Sequence, residues 1–576
     1  MNQNIDITQQ KNTIRTAIQS NNFEHAKQLL MQINATDNVD GETWQLTAYV
    51  HVKLNDIQAA IAAYQKAIQL PPENIDSYNN LGFLLQTLGQ FDEAIKSFQQ
   101  ALKIDGNNLN ANYNLALAHA SNKNFSEAED LYQKVINLHS NFPMAYINLA
   151  NIYRDKRRSD DAIELYRSAL KIDSSSVLAH INLATLLEKI HDLDEAKKHC
   201  DSAISLQANS HIAILTLATI NRRQGNIEES SQLLEKSISL AATPTELVSS
   251  YSELGKTQEK LHMFDDAFSS FTLANQTSEK LISELNIDPN TYQNRVQSHS
   301  QLINNTDTTQ WTSISDDEDK PWPIFLIGFP RSGTTLTEQI LVTHPNVVSS
   351  EEAPIIPKIV ENISELLGCE ISYPNCIPEL STIQIETLRE QYWNFAESIA
   401  GDDVYKKRFL DKQPLNITEL SLLYRMFPDA NYVVLIRDPR DVCLSCYSNS
   451  FATNQAMANF NSLNSTVSLY KAVMQLWEQY RTNLPSLSYL EVKYENLVDD
   501  MPSTSRKIFE YINEEWDDTV LEFFNYAKDR YIKTPSYENV SSPIYSTSIG
   551  RWKNYTTQLK TITPELESLV KHLGYE

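Results

Sequence analysis

The sequence predicts an α-helical solenoid followed by an α/β domain built on a parallel sheet. Three observations support this fold class. The first half has a 34-residue period, the second half alternates short apolar strands with helices, and a loop with the outline of a phosphate-binding loop follows the first of those strands. A chain of 576 residues is too long for one hydrophobic core, so at least two domains are expected.

Small residues and leucines recur at a fixed interval through the first half of the chain. The alanines spaced by 34 residues are Ala26, Ala60, Ala94, Ala128, Ala162 and Ala196. The leucines with the same spacing are Leu81, Leu115, Leu149, Leu183 and Leu217. This pattern predicts pairs of amphipathic helices, because small residues allow close helix contact and leucines fill the space between helices. It resembles the tetratricopeptide repeat family, which implies a solenoid over residues 1–285 with a long concave groove.

One register of the repeat is predicted to bind a peptide. Its members are Asn80, Asn114, Asn148 and Asn182, each directly before a core leucine. Neighbouring residues of a helix point in different directions, so these amides are expected to leave the core and face the groove. An amide both donates and accepts hydrogen bonds, which suits the main chain of an extended peptide. In this respect the array resembles the repeat domain of the O-linked N-acetylglucosamine transferases; solvated asparagines without a ligand are the alternative.

The helical pattern weakens after residue 285. Pro321, Pro323 and the acidic run DDEDK mark a junction, so residues 286–320 are predicted to be a linker. In residues 321–576, strands interleaved with helices predict a parallel sheet covered on both faces. Ligands of such sheets bind beyond the carboxyl ends of the strands.

The loop GFPRSGTT, residues 328–335, follows the apolar strand PIFLI. Its two glycines let backbone N–H groups point at an anion, and the helix that follows adds its positive end. A nucleotide triphosphatase loop carries lysine where this chain has Thr334, and that lysine reaches the β- and γ-phosphates. Its absence argues against a kinase or nucleotide triphosphatase. A phosphosulfate has no such pair of phosphates and needs no metal, so loop amides and fixed cations can hold it.

Five short motifs together resemble one enzyme family. PRSGTT, HP, EE, DKQP and RDPRD resemble the sulfotransferases that use 3′-phosphoadenosine-5′-phosphosulfate (PAPS), especially tyrosylprotein sulfotransferases and bacterial proteins that join tetratricopeptide repeats to a sulfotransferase domain. The resemblance implies PAPS as co-substrate, with the 5′-phosphosulfate on the loop and the 3′-phosphate on Arg437 and Ser445. The implied donor-binding residues are Arg331, Ser332, Gly333, Thr334, Thr335, Arg437, Ser445, Tyr494 and Arg551.

The same resemblance assigns catalytic residues. Arg331 is one of them, in addition to its role in binding the donor. Glu352, twenty-one residues beyond Arg331, is expected to remove the acceptor proton. Glu351 and His344 are the rival bases. Adjacent carboxylates at a strand end cannot both face the cleft, and HP in this position more often ends a helix.

Two further catalytic residues follow from the family pattern. Lys412, just past a strand end, is expected to offset charge on the bridging oxygen. Ser536, sixteen residues before Trp552, matches a catalytic serine. The segment SSPIY departs from the family, which has lysine there. The sequence MNQNIDITQQKNTIRT has no apolar core, so no secretory signal is expected, which is a second departure from the family.

The composition of the chain argues against several other classes of protein. The formal charge of −25 argues against a broad nucleic-acid or anionic membrane surface. No run approaches the ~20 apolar residues that span a bilayer. Five cysteines in this length suggest a reducing compartment, so a cytoplasmic location is expected. Cys443 and Cys446 form a CxxC without further ligands, so no metal is expected and these are interpreted as two small helix residues.

The sequence therefore predicts a PAPS-dependent sulfotransferase whose repeat groove presents a polypeptide acceptor, with tyrosine as the acceptor hydroxyl. A glycan or a small phenol is an alternative acceptor. The alternative of another class is a non-catalytic repeat scaffold whose second domain only senses adenine nucleotides. A homodimer is left open.

Overall fold

The computed structural model describes residues 7–35, 39–71, 74–311, 321–368, 372–484, 486–528, 532, 537–541, 543–544 and 546–575. The chain divides into two compact units, Met1–Leu186 and Leu187–Glu576.

The first unit consists of helices in the predicted repeat. They are α1 (Ile7–Gln19), α2 (Phe23–Asn34), α3 (Gly41–Lys53), α4 (Ile57–Ala67), α5 (Ile75–Thr87), α6 (Phe91–Ile104), α7 (Leu109–Ser121), α8 (Phe125–Leu138), α9 (Pro143–Asp155), α10 (Ser159–Ile172) and most of α11 (Val177–Lys189). The alanines of the 34-residue series are fully buried here, and so, within a few per cent, are the leucines. The predicted repeat solenoid is confirmed.

Close contact between the paired helices explains the small residues. A Cβ on Gly82 of α5 would lie 2.6 Å from the ring of Phe98 on α6. The turns inside the pairs are also periodic, because one residue of each adopts a left-handed backbone conformation. In the first unit these residues are Asn21, Asn55, Gly89, Lys123 and Arg157, again 34 apart.

The second unit begins with further helices of the repeat. They are α12 (Leu193–Leu206), α13 (His211–Gln224), α14 (Ile227–Leu240), α15 (Pro244–Lys260) and α16 (Phe264–Glu284). Helix α17 (Asn290–Asn305) follows them. Gly255 of α15 lies against Phe271 of α16 as Gly82 lies against Phe98, since an added Cβ would come within 2.4 Å of the ring.

Helix α17 lies within the predicted linker 286–320. Its buried residues Tyr292, Val296 and Ile303 belong to the larger core cluster of the sheet domain. Residues 312–320 lie outside the described residues. The division into 1–285, 286–320 and 321–576 stays a prediction.

The sheet has five parallel strands in the order β2-β3-β1-β4-β5. They are β1 (Ile324–Gly328), β2 (Val347–Ser349), β3 (Arg408–Lys412), β4 (Asn431–Ile436) and β5 (Tyr489–Lys493). Phe325 and Ile327 of β1 join one core cluster, and Ile324 and Leu326 join the other. The sheet is therefore buried on both faces, as predicted. Because β1 lies between β3 and β4, the chain reverses its direction of winding there, which opens a crevice at the carboxyl ends.

The remaining helices cover the sheet and its edges. They are α18 (Thr334–Val342), α19 (Ile355–Leu367), α20 (Thr382–Ala400), α21 (Asp403–Lys406), α22 (Leu420–Met426), α23 (Pro439–Tyr447), α24 (Leu463–Asn483), α25 (Tyr494–Asp499), α26 (Met501–Tyr511), α27 (Phe523–Lys528), α28 (Tyr537–Val540) and α29 (Thr563–His572). Among the helices described, none combines the length and the apolar character that crossing a bilayer requires.

Candidate active site

The loop between β1 and α18 needs its glycines. Gly328 has φ +149° and Gly333 has φ +109°. A Cβ on Gly328 would lie 2.7 Å from the carbonyl oxygen of Leu435, and one on Gly333 would lie 2.5 Å from the ring of Tyr494. Both positions therefore exclude larger side chains on steric and conformational grounds. Helix α18 begins immediately afterwards, so its unpaired N–H groups face the loop.

The side chains of the loop are buried around this helix start. Ser332, Thr334 and Thr335 are each at most 6% exposed. The Ser332 hydroxyl is buried and has no hydrogen-bond partner in the described structure. A buried hydroxyl without a partner is costly unless a ligand satisfies it. Arg331 adopts a positive φ of 71°, which is uncommon for a residue with a side chain.

Two arginines and a serine converge on the loop. Arg331 Nε donates to Ser445 Oγ at 3.1 Å, which joins the loop to α23. Arg437 Nη1 donates to the carbonyl oxygen of Arg331 at 3.0 Å. The Arg437 guanidinium lies 4.6 Å from the ring centroid of Tyr494. Its Nε is buried and has no hydrogen-bond partner among the described residues.

A third arginine comes from the C-terminal segment. Arg551 Nη1 donates to Ser448 Oγ, directly after α23, at 2.9 Å. The backbone N–H groups of Gly550 and Trp552 donate to the two carboxylate oxygens of Asp441 at 2.6 and 2.8 Å. Asp441 therefore fixes the segment that carries Arg551 against α23.

The three guanidinium groups make this crevice strongly cationic. Burial lowers the pKa of Arg331, and the positive charges of Arg437 and Arg551 lower it further. Like charges are held together here in a chain of formal charge −25. With the orphaned atoms of Ser332 and Arg437, this donor set fits an anionic phosphate compound.

A second cluster lies at the end of β3. Lys412 is 0% exposed, and its ammonium pairs with Glu338 at 3.0 Å and with Glu352. Burial alone would lower the pKa of Lys412, but the charges of the two carboxylates raise it above its ordinary value. The structure thus brings together the predicted Lys412 and Glu352. Glu338, one helical turn into α18, was not predicted.

Glu351 and Glu352 follow β2 in an unusual backbone conformation, with φ values of 49° and 68°. Such strain is found preferentially at functional sites. The Glu351 N–H is held by Ser349 Oγ at 2.9 Å, whereas the Glu352 carboxylate meets Lys412. Glu352 is also near enough to Arg331 for its charge to act on the pKa of that arginine.

His344, the rival base, lies away from this cluster. Its Nε2 is 3.0 Å from the carbonyl oxygen of Glu515, and its Nδ1 accepts from the N–H of Asn346. The ring therefore closes the end of α18, and both nitrogens are engaged with the backbone.

Two other predictions have different outcomes. Ser536 lies outside the described residues. Cys443 and Cys446 are buried in α23, and burial raises the pKa of both thiols. Cys446 Sγ packs 3.5 Å from the carbonyl oxygen of Pro330 under the loop. In the part of the chain that the structure describes, no three His, Cys, Asp or Glu side chains form a metal-binding group.

The asparagine register lies outside the leucine core, in the first unit. Asn80 is exposed, and Asn114, Asn148 and Asn182 are half-buried. Asn148 Nδ2 donates to Tyr113 Oη at 3.0 Å, and Asn182 Nδ2 donates to Asn151 Oδ1 at 3.1 Å. Contacts between neighbouring repeats therefore already occupy some of the hydrogen-bonding groups that a bound peptide would need.

Family models match both parts of the chain. Residues 323–518 match a model described as the sulfotransferase family. Residues 48–89, 73–141 and 131–164 match models of the tetratricopeptide repeat. The chain therefore carries tetratricopeptide repeats in its N-terminal region and a sulfotransferase-family domain in its C-terminal half.

Individual proteins are similar to parts of the chain. Protein-tyrosine sulfotransferase A of Caenorhabditis elegans is 25% identical over 279 residues, which are 46% of this chain and 71% of the relative. An uncharacterised protein of Aquifex aeolicus is 32% identical over 252 residues, which are 43% of this chain. The matched part spans 32% of the length of the Aquifex protein. A tetratricopeptide repeat protein from Parabacteroides merdae aligns with 42% of this chain and 96% of its own, at 20% identity and a TM-score of 0.36. Over the residues matched to the Caenorhabditis elegans protein, the chain is homologous to protein-tyrosine sulfotransferases.

Proposed function

We propose that the C-terminal domain transfers a sulfuryl group from PAPS to an acceptor hydroxyl. The observation that carries this proposal is the convergence of Arg331, Arg437 and Arg551 on a phosphate loop without lysine. The Lys412–Glu352 pair lies at neighbouring strand ends of the same sheet. A P-loop nucleotide triphosphatase has its lysine in the loop, and this loop does not.

The donor is assigned to the loop and to α23. The N–H groups at the start of α18, with Ser332, Thr334 and Thr335, bind the 5′-phosphosulfate, as does Gly333 through its main chain. Arg437 and Ser445 bind the 3′-phosphate beside Arg551, and Tyr494 packs against Arg437. The match to the sulfotransferase family supports PAPS as the donor. PAPS supplies the activated sulfuryl group on its 5′-phosphate.

During the transfer, side chains of the protein remove one proton and stabilise one developing negative charge. Glu352 takes the proton of the acceptor hydroxyl as that oxygen bonds to sulfur. Lys412 faces the oxygen between sulfur and phosphate and offsets the negative charge left on it when that bond breaks, and Arg331 does the same from the loop. Glu338 stays paired with Lys412 and fixes its ammonium. Ser536, which the family pattern predicts to be catalytic, is assigned to stabilise the transferring group through its hydroxyl.

The acceptor is assigned to a polypeptide, with tyrosine as the reacting side chain. Homology to protein-tyrosine sulfotransferases supports this assignment, as does a repeat array of a kind that usually binds proteins. Asn80, Asn114, Asn148 and Asn182 are assigned to the main chain of that polypeptide. The cytoplasmic location expected from the cysteine content stays a prediction.

Transfer of labelled sulfate from PAPS tests the proposal. The full chain is incubated with labelled PAPS and, in separate reactions, with a tyrosine-containing peptide, a glycan or a small phenol. Labelling of the peptide supports the proposal in full, and labelling of only the glycan or phenol corrects the acceptor. Binding of 3′-phosphoadenosine-5′-phosphate without any transfer favours the nucleotide-sensing scaffold instead.

A further inference from the structure

A glutamate of the repeat region reaches the cationic crevice. Glu259, in the last turn of α15, accepts from Arg551 Nε at 2.9 Å and lies 2.7 Å from Arg551 Nη2. It also accepts from the hydroxyl of Tyr555 at 2.6 Å. Glu259 and Arg551 are 292 residues apart in sequence.

The contact fixes the direction of the Arg551 guanidinium. Two of its nitrogens face Glu259, and the third donates to Ser448 directly after α23. The positive charge of Arg551 lowers the pKa of Arg331, so the two guanidinium groups repel each other. Without a carboxylate on its far side, Arg551 would be free to move away from that repulsion. Glu259 raises the pKa of Arg551 although burial acts in the opposite direction.

The next repeat helix, α16, contacts the end of α23, beside which the guanidinium of Arg551 also lies. Asn275 Nδ2 of α16 donates to the carbonyl oxygen of Tyr447 at 2.9 Å, and Thr272 shares a 2.8 Å hydrogen bond with the Tyr447 hydroxyl. The Phe268 ring stacks on Tyr447 with centroids 5.2 Å apart. Tyr447 ends α23, the helix that carries Ser445. Contacts from α15 and α16 therefore converge on the two elements that flank this side of the crevice.

We propose that Glu259 is a positioning residue of the donor site: it holds Arg551 on the α23 side of the crevice, so that recognition of the donor's 3′-phosphate depends on the repeat helices. The inference rests on the proposed function, which assigns the 3′-phosphate to that side. Glu259 does not touch the donor and acts through Arg551.

The affinities for two nucleotides distinguish the positioning role of Glu259 from a general effect on the fold. Calorimetric affinities of the full chain are measured for 3′-phosphoadenosine-5′-phosphate and for adenosine 5′-monophosphate, which lacks the 3′-phosphate. In E259Q the first is expected to bind about tenfold more weakly, the usual effect of losing a charged hydrogen bond. The second is expected to bind within about twofold of the unaltered protein, because its phosphate lies on the loop.

Replacement of Glu259 by the shorter aspartate distinguishes the effect of the carboxylate's position from the effect of its charge. E259D keeps the negative charge but withdraws it from Arg551, so it is expected to lose affinity like E259Q. R551M gives the reference loss, and E259Q/R551M is expected to bind no more weakly than R551M because the two residues act as one unit. The control is E235Q, which makes the same chemical change at an exposed position of α14.

The outcomes are distinct. Equal or tighter binding of the 3′-phosphorylated nucleotide by E259Q, or full affinity of E259D, overturns the positioning role. An equal loss for both nucleotides also overturns it, since a purely structural role predicts that result. If the unaltered protein binds neither nucleotide, the proposed function itself fails and the inference falls with it.

Discussion

Lys412 Nζ lies 3.0 Å from Glu338 Oε2, and both side chains are almost fully buried, at 1% and 3% exposure. The same ammonium pairs with Glu352, whose side chain is 32% exposed. Lys412 thus has one carboxylate partner in the interior and one that faces the crevice. When Glu352 turns to an acceptor hydroxyl, Glu338 still holds the lysine in place.

Removal of the interior carboxylate is expected to destabilise the fold. In E338Q the buried ammonium loses its inner charge partner, which typically costs about 3–5 kcal/mol of unfolding free energy. Urea denaturation followed by circular dichroism measures the change. E361Q, at an exposed position of α19, is the matched control and should change stability by less than about 0.5 kcal/mol. Equal stability of the two variants would show that Glu338 is not a structural partner of Lys412.

The base assignment predicts a difference between adjacent residues. E352Q should lower the transfer rate by about 10²- to 10⁴-fold, the range for loss of a general base. E351Q, with its side chain outside the lysine pair, should lower it less than about tenfold. Both variants should still bind 3′-phosphoadenosine-5′-phosphate. The reverse order of activities would make Glu351 the base.

A buried carboxyl beside this cluster predicts a pH dependence of stability. Burial raises the pKa of Asp411 to about 7, and its neighbours Tyr392 and Ser350 only partly offset this. Between the unfolded pKa of about 3.9 and pH 7 the folded protein holds this proton and the unfolded chain does not, so this contribution to stability declines as pH rises through that window.

The variant D411N should abolish that slope. Relative to the unaltered protein it should gain about 3 kcal/mol of stability from pH 5 to pH 8, because about two pH units of this interval lie below the folded pKa. Urea denaturation at the two pH values measures this. A constant difference between the two proteins would mean that Asp411 is ionised in the folded state.

The ion pairs of α17 predict that the sheet domain needs residues before 321. Arg295 and His299 of α17 lie 2.8 and 3.1 Å from the carboxylate of Glu419. Although burial opposes this, the charge of Arg295 and the contact with His299 lower the pKa of Glu419 to about 2. Because the folded pKa is depressed, the stabilisation is present above about pH 4.3 and is lost as pH falls towards 2.

Two fragments test the contribution of α17. A fragment of residues 321–576 lacks Arg295 and His299, so it leaves the buried Glu419 without these partners and should be unstable. A fragment of residues 187–576 retains them and should unfold cooperatively on heating. Equal thermal stability of the two fragments would contradict this role of α17.

Much of the fold was predictable because its sequence patterns are local. The 34-residue period specifies the repeat helices, and a contiguous motif specifies the loop from Gly328 to Thr335. Helix α17 was missed, although Tyr292, Val296 and His299 recur at helical spacing.

Contacts between residues distant in the chain were not predictable. Glu338 meets Lys412, and Glu259 meets Arg551, only because the sheet and the repeat helices bring separate segments together. No spacing within one segment indicates such a pair. Glu352 was predicted from its spacing to the loop. That spacing points to Glu352 only because the sequence resembles a family in which the same spacing occurs.

Binding of the desulfonated donor tests the central claim most directly. Titration calorimetry on the full chain compares 3′-phosphoadenosine-5′-phosphate with ATP, each with and without Mg²⁺. The crevice of Arg331, Arg437 and Arg551 predicts one site for the 3′-phosphorylated nucleotide that needs no Mg²⁺ and binds it at least about tenfold more tightly than ATP. Absence of that binding, or tighter binding of ATP that requires Mg²⁺, would contradict the account.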